Sequence, residues 1–222
     1  MRPRATWCLR FLGAASVIAL ATTAHPRAAR SQVPFGVLLT TVPEVTAVAR
    51  ASLIDEATRI WARAGVQLEW LPPGDPPPPA INSLRVLAVH RPPSGSADTF
   101  VLGELVRGAA HAVAMVSLGE ARGITERLAP MEPRDREEQR LGMILGRAAA
   151  HEIGHYLLRT STHAREGLMR PRITDREFAD PRAGGFDLDA SARAWLHARA
   201  EGGLDTTPPR GKVAQTAFNY LP

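Results

Sequence analysis

The sequence predicts a mixed α+β domain, and three observations carry that expectation. Short β-rich runs fall at 33–40, 66–70, 84–89 and 111–118. Two longer stretches, 45–64 and 135–159, repeat small or apolar residues every three or four positions, as helices do. The composition, 45% hydrophobic and 22% charged over 222 residues, is that of one ordinary globular domain. It excludes a disordered, collagen-like or multi-span membrane protein. The length suffices to bury a core without staples. Cys8 is the only cysteine, so a bound metal must be held by His, Asp or Glu.

The chain opens with Arg2, Arg4 and Arg10, then the apolar run Phe11 to Ala21, then Thr22-Thr23-Ala24. This is the layout of a secretory signal peptide over residues 1–24, with an uncleaved signal anchor as the alternative. The run is shorter than the roughly 20 residues of a membrane span. The mature chain is therefore expected to have no stable membrane span and to be secreted or periplasmic. Those three arginines hold much of the formal charge of +5, and without residues 1–24 there remain 24 basic against 22 acidic residues. No basic run interleaved with aromatics follows, so no nucleic-acid partner is expected.

Residues 33–203 read as the folded domain. Val33 to Thr40 is a first strand. Pro43 and Glu44 suit the first turn of a helix whose stripe is Val45, Val48, Leu53, Ala57, Ile60, Trp61 and Ala64, with Gly65 as its stop. Val66 to Trp70 alternates as a half-buried strand. The prolines from 72 to 79 form a loop. Leu84 to Val89 and His111 to Leu118 are further strands, and 91–110 matches no template. Asp135 with Glu138 resembles a capping box opening a long helix to about residue 159. Gly142, Gly146, Ala150 and Gly154 make a smooth stripe along it, which suits close packing on a neighbour. A shorter helix runs from Asp189 to about Glu201 before Gly202-Gly203. Residues 204–222 are expected to be an extended tail.

The chemistry lies in His151-Glu152-Ile153-Gly154-His155, an H-E-x-x-H motif within the long helix. Residues i and i+4 stand one above the other on a helix face, so both imidazoles can hold one Zn²⁺. Glu152 is turned about 100° round the axis. It lies beside the metal, where a general base for activated water belongs. A chain of this composition shows the motif by chance in about one case in eighty. A catalytic zinc needs a third protein ligand, and His163 is the leading candidate. On a continuous helix it would lie about 18 Å along the axis from His151. It therefore ligates only if the helix ends near 158–160 and the chain folds back. Thr160-Ser161-Thr162, a run of weak helix formers, permits that. Glu166, Asp175 and Glu177 are rival third ligands. Tyr156 falls on the side of Glu152, and Trp61, Trp70 and Trp195 read as core.

His151 to Met169 (HEIGHYLLRTSTHAREGLM) resembles the zinc-binding stretch of the metzincin-type zincin metalloproteases, including the matrixin-like ones. Gly167-Leu168-Met169 looks like their Met-turn. The stretch departs from the family pattern at Leu158, where the family has glycine, and at His163, which comes two residues late. The resemblance implies a zincin-like metallopeptidase domain over 33–203. Its architecture would be a small twisted sheet on two long helices, the second carrying H-E-x-x-H, plus a C-terminal helix. It implies zinc held by His151, His155 and His163, catalysis by Glu152 and a peptide or protein substrate. It also implies that His111–Leu118 is the edge strand along which substrate lies. Arg170 is a candidate oxyanion donor. Two other readings are open: a secreted binding module with a structural or absent metal, and a zinc hydrolase of a non-peptide substrate. The sequence does not set the oligomeric state.

Overall fold

Apolar residues alternate or cluster so that one sheet and two long helices must share a core, and the computed structural model shows them doing so. It describes residues 33–72, 82–94, 101–108, 112–128, 130–201 and 214–219. The expected signal peptide, the proline run, His111 and most of the tail lie outside these. The strands are β1 (Val33–Thr41), β2 (Val66–Leu71), β3 (Ser83–Val89), β4 (Val101–Arg107), β5 (Ala112–Ser117) and β6 (Ala214–Asn219). The helices are α1 (Ala47–Arg63), α2 (Leu118–Leu128), α3 (Arg134–Leu157), α4 (Asp175–Ala179) and α5 (Ala190–Glu201). The mixed α/β class is as the sequence predicts. No described helix is long and apolar enough to cross a membrane.

The sheet runs β2-β1-β3-β5-β4-β6. β1, β2, β3 and β5 are mutually parallel, while β4 is antiparallel to both β5 and β6. Residues 91–110, which matched no template, contain β4. Its sequence hides the strand because Gly103 and the buried Glu104 interrupt the apolar run. α2, also unforeseen, starts at Leu118, where the expected strand was to end. β5 is interior to the sheet, so the edge role assigned by resemblance to His111–Leu118 is wrong. β4 lies nearer the edge, and β6 covers it.

α1 lies on β2, α3 lies on β3, β4 and β5, and the two helices pack along each other. The small-residue stripe makes that approach possible. A Cβ on Gly142 would strike the carbonyl oxygen of Ala49 on α1, and one on Gly146 would stand 2.7 Å from the carbonyl oxygen of Leu53. Between the helices, buried Arg147 meets Glu56 at 2.7 Å and donates to the carbonyls of Glu177, Phe178 and Asp180 at the end of α4.

The caps differ from expectation. Thr46, not Pro43 or Glu44, opens α1 by accepting from the Ala49 amide at 3.1 Å. Pro133 precedes α3 without a side-chain cap, so the capping box at Asp135 is absent. Glu138 instead accepts from the Thr46 hydroxyl at 2.7 Å. Asp135 and Glu137 still sit in the first turn, where the helix dipole favours negative charge.

Candidate metal centre

The site begins with the end of α3. The Thr160 amide donates to the His155 carbonyl and the Arg159 amide to that of Tyr156. This is a Schellman closure, whose left-handed position usually takes glycine. Here Arg159 occupies it at φ 50°. The stop is therefore real but unwritten in glycine, one residue beyond Leu158. It turns the chain back so that His163 returns to the helix it has just left.

His151, His155 and His163 converge. One nitrogen from each lies within 4.8 Å of the others, and the ring centroids are 4.7–5.3 Å apart. The tautomers follow from the surroundings. His151 Nδ1 donates to the Leu168 carbonyl at 2.7 Å, and His155 Nδ1 to the Thr160 carbonyl at 2.9 Å. Both Nε2 atoms therefore carry lone pairs, and they face each other at 3.0 Å. Two lone pairs so placed repel unless a cation lies between them. Burial holds all three imidazoles below their usual pKa. For His151 the shift is large, with His155 adding to it; His155 is brought to about 4. They are neutral at pH 7, as metal ligands must be. The donor set is all nitrogen and fits zinc.

Glu152 is fully buried, and neither carboxylate oxygen has a hydrogen-bond partner among the described residues. Burial drives its pKa well above the usual range, Glu104 adds to this, and Arg107 opposes it. An unpartnered buried carboxylate is costly and marks a place where something else completes the bonding. Glu152 rests against Gly103 of β4. A Cβ there would lie 2.7 Å from Glu152 Oε1. Sequence reasoning missed both Gly103 and Arg107. The Arg107 guanidinium donates to the His155 carbonyl at 2.5 Å and reaches the Thr160 carbonyl at 3.5 Å. That second carbonyl is the one that orients His155.

The turn at Gly167-Leu168-Met169 lies beneath. Gly167 takes φ 79°, and a Cβ on it would strike the Asp187 carbonyl. The Leu168 amide donates to the same carbonyl at 2.8 Å, while Leu168's own carbonyl serves His151. Met169 is buried with its sulfur against Gly154 of α3.

The rival ligands are placed otherwise. Glu166 is exposed. Asp175 pairs with Arg127 at 2.7 Å. Glu177 completes the capping box of α4 and pairs with Arg170 at 3.0 Å. Arg170, the candidate oxyanion donor, is thus engaged by Glu177 and by the face of Phe186. Tyr156 packs its ring 5.7 Å from that of Phe35. Trp61 is core, but Trp195 is 37% exposed with Arg199 stacked on it at 4.7 Å.

The three-histidine cluster, with His151 and His155 buried and His163 half-buried, lies beside an unpartnered carboxylate. One solved structure resembles the chain. It is archaemetzincin from Methanopyrus kandleri, at 12% identity and a TM-score of 0.48, covering 80% of this chain and 99% of that one. No family model matches the chain, and no curated protein matches it.

Proposed function

We propose that this chain is an exported zinc-dependent peptidase. The observation that carries the reading is the pair of Nε2 lone pairs facing at 3.0 Å beside the orphaned carboxylate of Glu152. His151, His155 and His163 would hold the ion. Zinc in that place would supply Lewis acidity, lowering the pKa of water and polarising a carbonyl.

The chain's own groups do the rest. Leu168 and Thr160 fix both helix histidines as Nδ1–H tautomers, so Nε2 carries the lone pair on each. Glu152 lacks a competing partner, and its raised proton affinity suits it to take a proton from water and pass it to a leaving amine. Gly103 leaves the room the carboxylate occupies. The leader over residues 1–24 supports export, and an amide as substrate is the proposal's own choice among carbonyl compounds.

Metal analysis and a quenched peptide library test the reading together. One equivalent of zinc is expected, with peptide cleavage lost in Glu152→Gln while zinc is retained. Cleavage surviving in Glu152→Gln, or a chain that takes up no zinc, sinks it.

A further inference from the structure

We propose that the chain's own Ala214–Asn219 is an exchangeable occupant of the outer edge of β4, which an extended peptide must displace in order to lie there. The inference rests on the peptidase reading for the identity of the competing peptide.

β4 is the strand nearest the chemistry. Gly103 faces Glu152, and Arg107, four residues on, holds the carbonyls of His155 and Thr160. Without β6 the outer backbone groups of β4 would be unpaired along this stretch, because the sheet order ends β5-β4-β6. β6 satisfies them in antiparallel register, with Arg107 opposite Ala214, Leu105 opposite Thr216 and Gly103 opposite Phe218. Such pairing uses backbone groups that every peptide carries, so an extended substrate can make the same ladder. A peptide lying along β4 beside Glu152 must take the place of β6.

β6 ends the sheet and is paired along one side only. Among the described residues β4 is its one extensive neighbour. The register also slips between Val101 and Gly103, at the end nearest Glu152. Irregular pairing of this kind is found where strands terminate or border active sites.

Hydrogen exchange on the zinc-loaded full chain tests this first. The amides of 215–218 are expected to exchange about 100-fold or more faster than those of β3 and β5. Protection equal to those strands overturns the proposal. A labelled peptide, Gly211–Pro222, is then titrated into chains carrying Glu152→Gln, so that cleavage does not consume it. It should bind a chain ended at Gly203 at least about tenfold more tightly than the full chain, whose own segment competes at high effective concentration. No binding, or equal binding to both, overturns the proposal. If the shortened chain does not fold, Val106→Cys/Gln215→Cys in the full chain replaces it. These positions face each other in the register. The oxidised form should bind the peptide at least about tenfold more weakly than the reduced form, and equal binding counts against the proposal. None of these readouts is hydrolysis. A chain that exchanges its strand but cleaves nothing refutes the peptidase reading alone. One that cleaves peptides with β6 fully protected refutes this inference alone.

Discussion

Glu152 is held in place by what is missing around it. The side chain fills the space over Gly103, and any Cβ there must displace it. Gly103→Ala is therefore expected to leave fold and zinc content intact and to lower kcat by about tenfold or more, since small misplacements of a reacting group are costly. Circular dichroism, metal analysis and steady-state kinetics check this; an unchanged kcat removes the glycine from the argument. His155 makes a second residue-scale prediction. Burial depresses its pKa from 6.5 to about 4, so between those values the unfolded chain binds a proton that the folded one does not. The stabilisation is complete above about pH 6.5 and is lost as pH falls toward 4, which is about 2 kcal/mol by pH 5. The urea midpoint of metal-free chain at pH 7 and pH 5 reads this together with the losses from His151 and His163, whose pKa values burial also lowers, and His155→Gln should reduce the slope by its own share. The pair at i and i+4 and its acid were legible from spacing alone. Gly103 and Arg107 were not, because their part is set by strand β4, 44 or more residues upstream, meeting the helix in space.

At the scale of elements, α3 works because small residues let it approach α1 and because Arg147 ties both to α4. Glu56 is the buried partner of Arg147. Burial alone would raise its pKa, but hydrogen bonds and charge from Arg59 and Arg147 prevail and lower it. Glu56→Gln takes from the buried Arg147 guanidinium its paired carboxylate and is expected to destabilise the chain by about 3–5 kcal/mol in urea unfolding. A loss below about 1 kcal/mol would show that the neighbouring carbonyls suffice for Arg147. The glycine stripe announced the helix contact in advance, because no other reason for three glycines in one helix offers itself. The ends of the helices were less legible. Thr46 caps α1 through one hydroxyl, as threonine often does, but Pro43 and Glu44 also suit a first turn and drew the expected start three residues early. Arg159 closes α3 in a conformation its side chain disfavours, so the signal that usually marks a helix stop was absent. β4 was hidden for a related reason. Its glycine and buried glutamate answer to the site, not to the alternation that makes strands readable.

For the molecule as a whole, a metal on the three histidines would tie a helix to an irregular segment. His151 and His155 belong to α3, while His163 belongs to the stretch between Leu158 and Met169. That stretch has no helix or strand of its own and is tied at scattered points, among them His155 and Arg107 to the Thr160 carbonyl, His151 to the Leu168 carbonyl, Ala164 to the Met169 carbonyl at 2.8 Å and Leu168 to the Asp187 carbonyl at 2.8 Å. A ligand that binds only the folded state stabilises it by about 4 kcal/mol at a thousandfold excess over its dissociation constant. In a domain of this size each kcal/mol is about 2–4 °C in Tm. Removing zinc is therefore expected to lower Tm by about 8–16 °C, with re-addition restoring it. The loss should be local first. Facing lone pairs on His151 and His155 have no cation between them in the metal-free chain, and the cheapest relief is to release the loop that carries His163. Protease cuts in metal-free chain should fall within 158–169, while β1, β2 and β3, paired to one another within the sheet, stay intact. Scanning fluorimetry with chelator, followed by mass mapping of the first cuts, decides it. A Tm indifferent to zinc, or first cuts spread evenly over the sheet, would mean that the three histidines are held by packing alone.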